Sequence, residues 1–261
     1  MRALGIAATG MRAQELNVSV ISNNIANMST TGYKRQRAEF QDLLYQTQRS
    51  AGINSADEGT IVPTGIQLGL GVKNGAVYRV HQQGVLTQTD SRFDLAVSGK
   101  GFFQVNKPDG TNAYTRAGAF QINQDGEIVS TEGFTVSPGI TIPQDAESVD
   151  ISEEGEVFVK IASDPTPQNV GQIDLVNFIN EAGLEAKGNN LYLETEASGT
   201  PIVGVAGDEG FGKIQQGFLE LSNVDSVIEI TTLISAQRAY ELNSRVISTG
   251  DEMLQSLSQL R

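Results

Sequence analysis

Side chains able to do chemistry are few in this chain and badly spaced for it. Its one histidine, His81, lies in an alternating stretch with no acid at a ligand spacing, and the sequence has no cysteine. One imidazole cannot build a tetrahedral zinc site, so a structural or solvated role is expected. The nearest metal motif starts at Gln121, from which Asn123, Asp125, Gly126 and Glu132 take positions 3, 5, 6 and 12 of a calcium-binding loop. Its first position lacks the carboxylate and both flanks alternate like strands, which reads as a hairpin turn. The acids Asp145, Glu147, Asp150, Glu153, Glu154 and Glu156 could pair for glycoside cleavage. Nothing apolar beside them would raise a carboxyl pKa, so a solvated face is the plainer reading. Gly99-Lys100-Gly101 and the glycines Gly65, Gly69 and Gly71 lack the rest of a phosphate loop. No Gly-x-Ser-x-Gly nucleophile motif occurs. The expectation is a protein without enzyme activity, cofactor or metal.

Charge narrows the partners. The net charge is −13, which argues against nucleic acid, because phosphate binding needs clustered Lys and Arg. Residues 1–49 contribute +3, 50–219 contribute −13 and 220–261 contribute −3. The excess therefore belongs to the middle, as expected if that part faces solvent and the ends pack together. No apolar run approaches the roughly 18 residues that span a membrane, and Arg12 interrupts any secretory signal. Read alone, these features place the chain in the cytosol. The absence of cysteine also suits an oxidising compartment.

The elements that would position any site fall into two kinds. A helix is predicted from about Leu4 to Asn27, stopping before Gly32, with Gly10, Asn17, Ser19, Ser22, Asn23, Asn24 and Asn27 lowering its propensity. Such a helix should be frayed alone and firm against partners. A second helix is predicted from a capping box at Ser222 and Asp225 to the end. Between them come the basic knot Lys34, Arg35 and Arg37, then Phe40, Leu43 and Leu44 as a short helix or extended arm. A glycine-rich spacer follows over 46–71. From Ala76 the pattern turns to hairpins, with turns at Pro108-Asp109-Gly110, Asp125-Gly126, Glu154-Gly155 and Asn189-Asn190. Further strands are expected at 157–161, 173–177 and 191–193. The fold class is thus α+β: N- and C-terminal helices packed as a coiled-coil-like core domain (1–32 and 222–261), a connecting segment (33–75) and an inserted β-rich outer domain (76–221).

Both helices carry apolar stripes wider than one partner covers. On the first they include Leu4, Met11, Val18, Ile21 and Ile25. On the second they include Ile230, Leu233, Tyr240 and Leu242, then Val246, Ile247, Met253, Leu254 and Leu257. These residues are the expected subunit interface. Asn24 and Asn27, with Asn17 and Asn23, have two readings: they bond across subunits and fix axial register, as a buried Asn does in coiled coils, or they only end a helix.

Val20-Ile21-Ser22-Asn23-Asn24-Ile25-Ala26-Asn27 with Thr30-Thr31-Gly32-Tyr33-Lys34 resembles the N-terminal signature of bacterial flagellar rod and hook proteins. The segments Phe40-Gln41-Asp42-Leu43-Leu44-Tyr45-Gln46, Gly99-Lys100-Gly101-Phe102-Phe103-Gln104-Val105, Tyr114-Thr115-Arg116-Ala117-Gly118-Ala119-Phe120, Gln216-Gly217-Phe218-Leu219-Glu220-Leu221-Ser222-Asn223-Val224 and Gln237-Arg238-Ala239-Tyr240-Glu241-Leu242-Asn243-Ser244 narrow this to the distal rod members of the family, over nearly the whole length. The resemblance implies a homo-oligomeric helical rod whose terminal helices line an export channel and which transmits torque. It also implies secretion by the flagellar type III export apparatus, which replaces the cytosolic reading, and a place in the basal body crossing the periplasm. Implied partners are proximal rod proteins, the hook or an adaptor protein, and the bushing of L- and P-rings. Residues 46–67 would distinguish stiff rod from flexible hook. The alternatives are a proximal rod or hook subunit and, from another class, a secreted cell-wall hydrolase using the acidic cluster.

Overall fold

The computed structural model describes residues 2–49, 64–161 and 164–259. Much of the stretch 46–67 therefore lies outside the described residues. Two helices, α1 (Arg2–Ala26) and α2 (Ser226–Gln259), stand at the ends, and strands make up most of the regular structure between them. The chain divides into two compact units: 1–25, 36–78 and 226–261 form one, and 26–35 with 79–225 the other.

In the first unit the helices pair antiparallel. A Cβ on Gly10 would sit 3.0 Å from the Asn243 amide, a Cβ on Gly250 would sit 2.7 Å from Leu4 Cδ2, and Asn24 Nδ2 donates to Glu229 Oε2 at 3.3 Å. Residue numbers rise on α1 as they fall on α2. Gly10 and Asn24 are two heptads apart, as are Asn243 and Glu229, so Asn17 falls level with the buried Ala236. The row that joins the helices is therefore small or polar at each of these steps. This explains Gly10, whose propensity cost is about 1 kcal/mol: a side chain there would meet Asn243. Ala7, Ala13, Val20 and Ile21 complete the buried face of α1. Two short ribbons accompany the helices, Gln36–Asp42 with Val72–Arg79 and Tyr45–Arg49 with Ile66–Gly69. Phe40, Leu43 and Leu44 thus belong to extended chain, where Leu43 N–H bonds Gly71 O at 2.9 Å.

The second unit is built on a nine-stranded antiparallel sheet with Phe102–Asn106 near its centre, and a three-stranded sheet spans Ala146–Gln172. Side chains alternate across a strand, and Phe102–Asn106 uses both faces. Phe103 and Val105 join the larger core with Leu95, Ile128, Leu175 and Ile214; Phe102 joins a smaller one with Tyr114, Val176, Phe178 and Tyr192. The predicted turns close hairpins here. Asp109 accepts from Thr111 N–H at 2.9 Å, Asn123 Oδ1 accepts from Asp125 and Glu127 N–H at 2.9 and 2.8 Å, and Asn189 and Asn190 take φ of 53° and 58°. The calcium-like stretch from Gln121 is therefore a turn whose Asn oxygen already serves the backbone. Gly32 has φ of 67°, and a Cβ there would lie 2.7 Å from Ala117 N.

The second helix opens at Ser226, four residues after the expected Ser222. Ser222 Oγ accepts from Val224 N–H at 3.3 Å instead of capping a helix. Asn223, in the next position, accepts from Arg35 N–H at 2.8 Å and donates to Val80 O and Gln82 O, each at 2.9 Å. Those bonds hold 222–225 as a non-helical strap.

Candidate functional site

Two features stand out, one in each unit. On the helix pair, Ile21 and Asn24 are buried, and Leu4, Met11, Val18, Ile25, Leu233 and Ile247 are half-buried. Ile230, Tyr240, Leu242, Val246, Met253 and Leu254 are exposed, Leu242 at 61% and Met253 at 57%. Val227 and Ile228 are exposed as well. The Leu257 side chain lies outside the described residues. The structure thus joins α1 to α2 largely through small and polar groups and leaves most of the large apolar side chains of α2 exposed. An exposed run of this kind marks an interaction surface. Asn24 works within its own chain: it donates to Gln36 O at 2.9 Å, accepts from Gln36 N–H at 2.8 Å and reaches Glu229. Asn27 accepts from the Thr30 hydroxyl at 3.2 Å just past the end of α1.

The other unit holds a buried charge cluster that the sequence reading missed. Glu220, fully buried, accepts from Lys34 Nζ at 2.6 Å, Gly84 N–H at 2.8 Å and Arg116 Nη1 at 3.5 Å. Lys34 also donates to Gln82 O at 2.9 Å, and Arg116 to Val97 O at 3.2 Å and Gly99 O at 2.6 Å. Burial pulls both cations below their usual pKa, and the Glu220 carboxylate opposes that pull. In the sequence Lys34 reads only as part of a basic knot with Arg35 and Arg37. The only hint was an acid, Glu220, between Leu219 and Leu221 on an apolar strand. Beside the cluster, His81 packs against Phe102 and Tyr192 at 5.6 and 5.5 Å between ring centroids. Its pKa is pushed down to about 3 by burial first and then by Lys34, Arg116 and Arg79. The cluster joins 32–35, 82–84, 97–99, 116 and 220 by fixed bonds.

The acidic stretch does not assemble a catalytic pair. Glu153 is exposed and bonded to Lys213 at 2.6 Å, which holds its carboxyl below the usual range. A general acid for glycoside cleavage needs the opposite shift. Among the described residues, no group of three or more His, Cys, Asp or Glu could hold a metal ion, and no helix is long and apolar enough to cross a membrane.

Residues 4–34 match the family described as flagella basal body rod protein, 96–159 the flagellar hook protein FlgE/F/G D1 domain, and 215–260 the flagellar basal body rod FlgEFG protein C-terminal family. The chain is 60% identical to the flagellar basal-body rod protein FlgG of Caulobacter vibrioides over 100% of both chains. It belongs to the flagellar basal-body rod protein FlgG family. The family's protein of that name in Agrobacterium fabrum is 51% identical over 99% of each chain, and that of Bacillus subtilis 41% over 100% of this chain and 99% of its own. Family membership makes the chain a structural component of the flagellar basal body and not an enzyme. The matches at 4–34 and 215–260 cover both helices and both ends of the buried cluster, Lys34 and Glu220.

Proposed function

We propose that the chain is an axial subunit of the distal rod, stacking with copies of itself into a helical tube that transmits torque and encloses the export channel. In this reading the terminal helices form the coiled-coil-like inner domain and 76–221 the outer, β-rich domain. The observation that carries it is the apolar side of α2: Val227, Ile230, Ile234, Leu242 and Met253 face water although the helix has a partner. Each side chain of that size gains about 1.5 to 3 kcal/mol on full burial, and α1 covers a different row. Copies related by a screw operation would cover them, since a heterologous contact that does not close builds a filament. The buried Ile21 belongs to the pairing within the chain, and the exposed members of the predicted set to contacts between chains.

The acidic outer body suits a solvated surface running inside the L- and P-ring bushing. Proximal rod proteins would meet one end of the stack and the hook or an adaptor protein the other, after delivery by the type III export apparatus. The test is to tag the full-length chain, isolate basal bodies and image the tag by electron microscopy. Label along the rod distal to its membrane-proximal part is expected; label confined to the hook would overturn the assignment.

A further inference from the structure

We propose that one flank of the helix pair, carrying Glu15, Val18, Tyr240 and Glu241, receives the Leu242–Arg245–Val246 ridge of a second copy of this chain. This rests on the assembly reading above and names the contact between neighbours. A groove of 410 Å3 opens between the helices, lined by Glu15, Val18 and Ser19 of α1 and by Gln237, Tyr240 and Glu241 of α2. Its chemistry is an apolar floor, an aromatic ring and two carboxylates, with no basic group. Neither carboxylate forms an ion pair among the described residues. That set fits a guanidinium: the ring face attracts the cation, the carboxylates match its forked donors, and Val18 with Tyr240 can cover its aliphatic stem.

The same chain displays such a group. Arg245 is exposed and, like the groove carboxylates, without an ion pair among the described residues, and it stands between the exposed Leu242 and Val246. At about 100° per residue, Gln237 and Tyr240 of the groove and Leu242 and Val246 of the ridge lie on opposite flanks of α2, while Glu241 and Arg245 stand one turn apart on the side away from α1. A patch and its complement on opposite flanks do not meet in a twofold contact. They make a head-to-tail interface that repeats from copy to copy. A second copy is the occupant because both halves of the contact stand in one chain and agree in sign and in apolar character.

The full-length chain, expressed in a motile cell whose own copy of this subunit is removed, provides the test. Arg245→Glu alone, and Glu15→Arg with Glu241→Arg alone, are each expected to abolish motility and rod assembly, since like charges then face one another. Co-expression of the two is expected to restore both, because the acidic ridge fits the basic groove and the remaining halves are native. An effect confined to one helix, such as Glu241 with Arg245, cannot be repaired in trans. A second variant reverses no charge: Ser19→Cys with Val246→Cys in this cysteine-free chain. Within one chain these positions are about 18 Å apart along the axis, beyond disulfide reach. Oxidised basal bodies should therefore yield a ladder of cross-linked copies that neither single cysteine gives. Motility of the Arg245→Glu cells, or failed co-expression together with no ladder in intact basal bodies, overturns the proposal and leaves the assembly reading standing. Absence of the native chain from isolated basal bodies removes both.

Discussion

Glu220 is the residue on which most buried charge in the second unit depends. It faces two cations, and each of its carboxylate oxygens is engaged. Replacing it with Gln keeps the shape and removes the carboxylate that Lys34 and Arg116 share at a buried site. Breaking a buried pair from one side costs about 3 to 5 kcal/mol, so Glu220→Gln should lower the denaturant midpoint of the body clearly. Urea unfolding followed by tyrosine fluorescence would measure it; an unchanged midpoint would mean that water reaches the cluster. His81 gives a pH signature at the same place. Its folded pKa of about 3 lies below the ordinary value of 6.5, so between those values the unfolded chain takes up a proton that the folded chain refuses. The stability linked to His81 is therefore complete above pH 6.5 and is lost as pH falls toward 3, at no more than about 1.4 kcal/mol per pH unit. Lys34, Arg116 and Arg79 all face it and disfavour its charged form. Carboxylates also titrate there, so the test is the difference between the native chain and His81→Gln. The variant should have the flatter stability profile over that window, and parallel profiles would contradict the assignment.

Within α2 the two sides call for opposite outcomes. Leu242 points to water, so Leu242→Asp should change the stability of the free chain by no more than about 0.5 kcal/mol while blocking rod assembly. Ile21→Asp on α1 should instead disrupt the helix pair itself, at about 3 kcal/mol or more, because its side chain is buried inside the chain. Circular dichroism at 222 nm and a motility assay on both variants separate the cases; loss of helix signal in Leu242→Asp would place that residue in the fold. Sequence periodicity found both stripes and could not divide them. The row joining α1 to α2 includes Leu4, Gly10 and Asn24 on one side and Glu229, Ala236, Asn243 and Gly250 on the other, mostly small or polar residues that do not read as an apolar stripe. Only the seven-residue recurrence on α2 betrays a seam. The body was more legible, since turn residues such as Asp109 and Asn123 act through bonds to their own neighbours. Phe40, Leu43 and Leu44 left a short helix and an extended arm both open because three apolar residues fit either period, and the pairing of Gln36–Asp42 with Val72–Arg79 decides for the extended arm. Lys34 with Glu220 was out of reach for a related reason: its members are 186 residues apart, and a lone lysine or glutamate defaults to the surface.

At the scale of the whole molecule, the two units should differ in how much order they hold alone. The strand-rich unit buries two aromatic and aliphatic cores and the charge cluster. The helical unit joins its helices largely through small and polar residues and exposes most of its large ones, so little apolar burial opposes fraying, and Gly10 with the Asn and Ser residues of α1 lowers its propensity to hold alone. Amide exchange reads this directly, because local opening follows local burial. In dilute full-length protein, amides of Phe103, Val105, Leu175 and Tyr192 should exchange only through global unfolding, and those of α1 and the C-terminal half of α2 much faster. Assembly binds the folded form and shifts that balance by mass action, so the same helical amides in isolated rods should become as slow as the body. Deleting residues 1–25 should likewise leave a soluble chain with the strand signature, since Lys34 and every other member of the charge cluster remain. Full protection of both helices in the dilute, monomeric chain would mean that the helix pair is complete in itself, and the exposed face of α2 would lose its claim to be half of an interface.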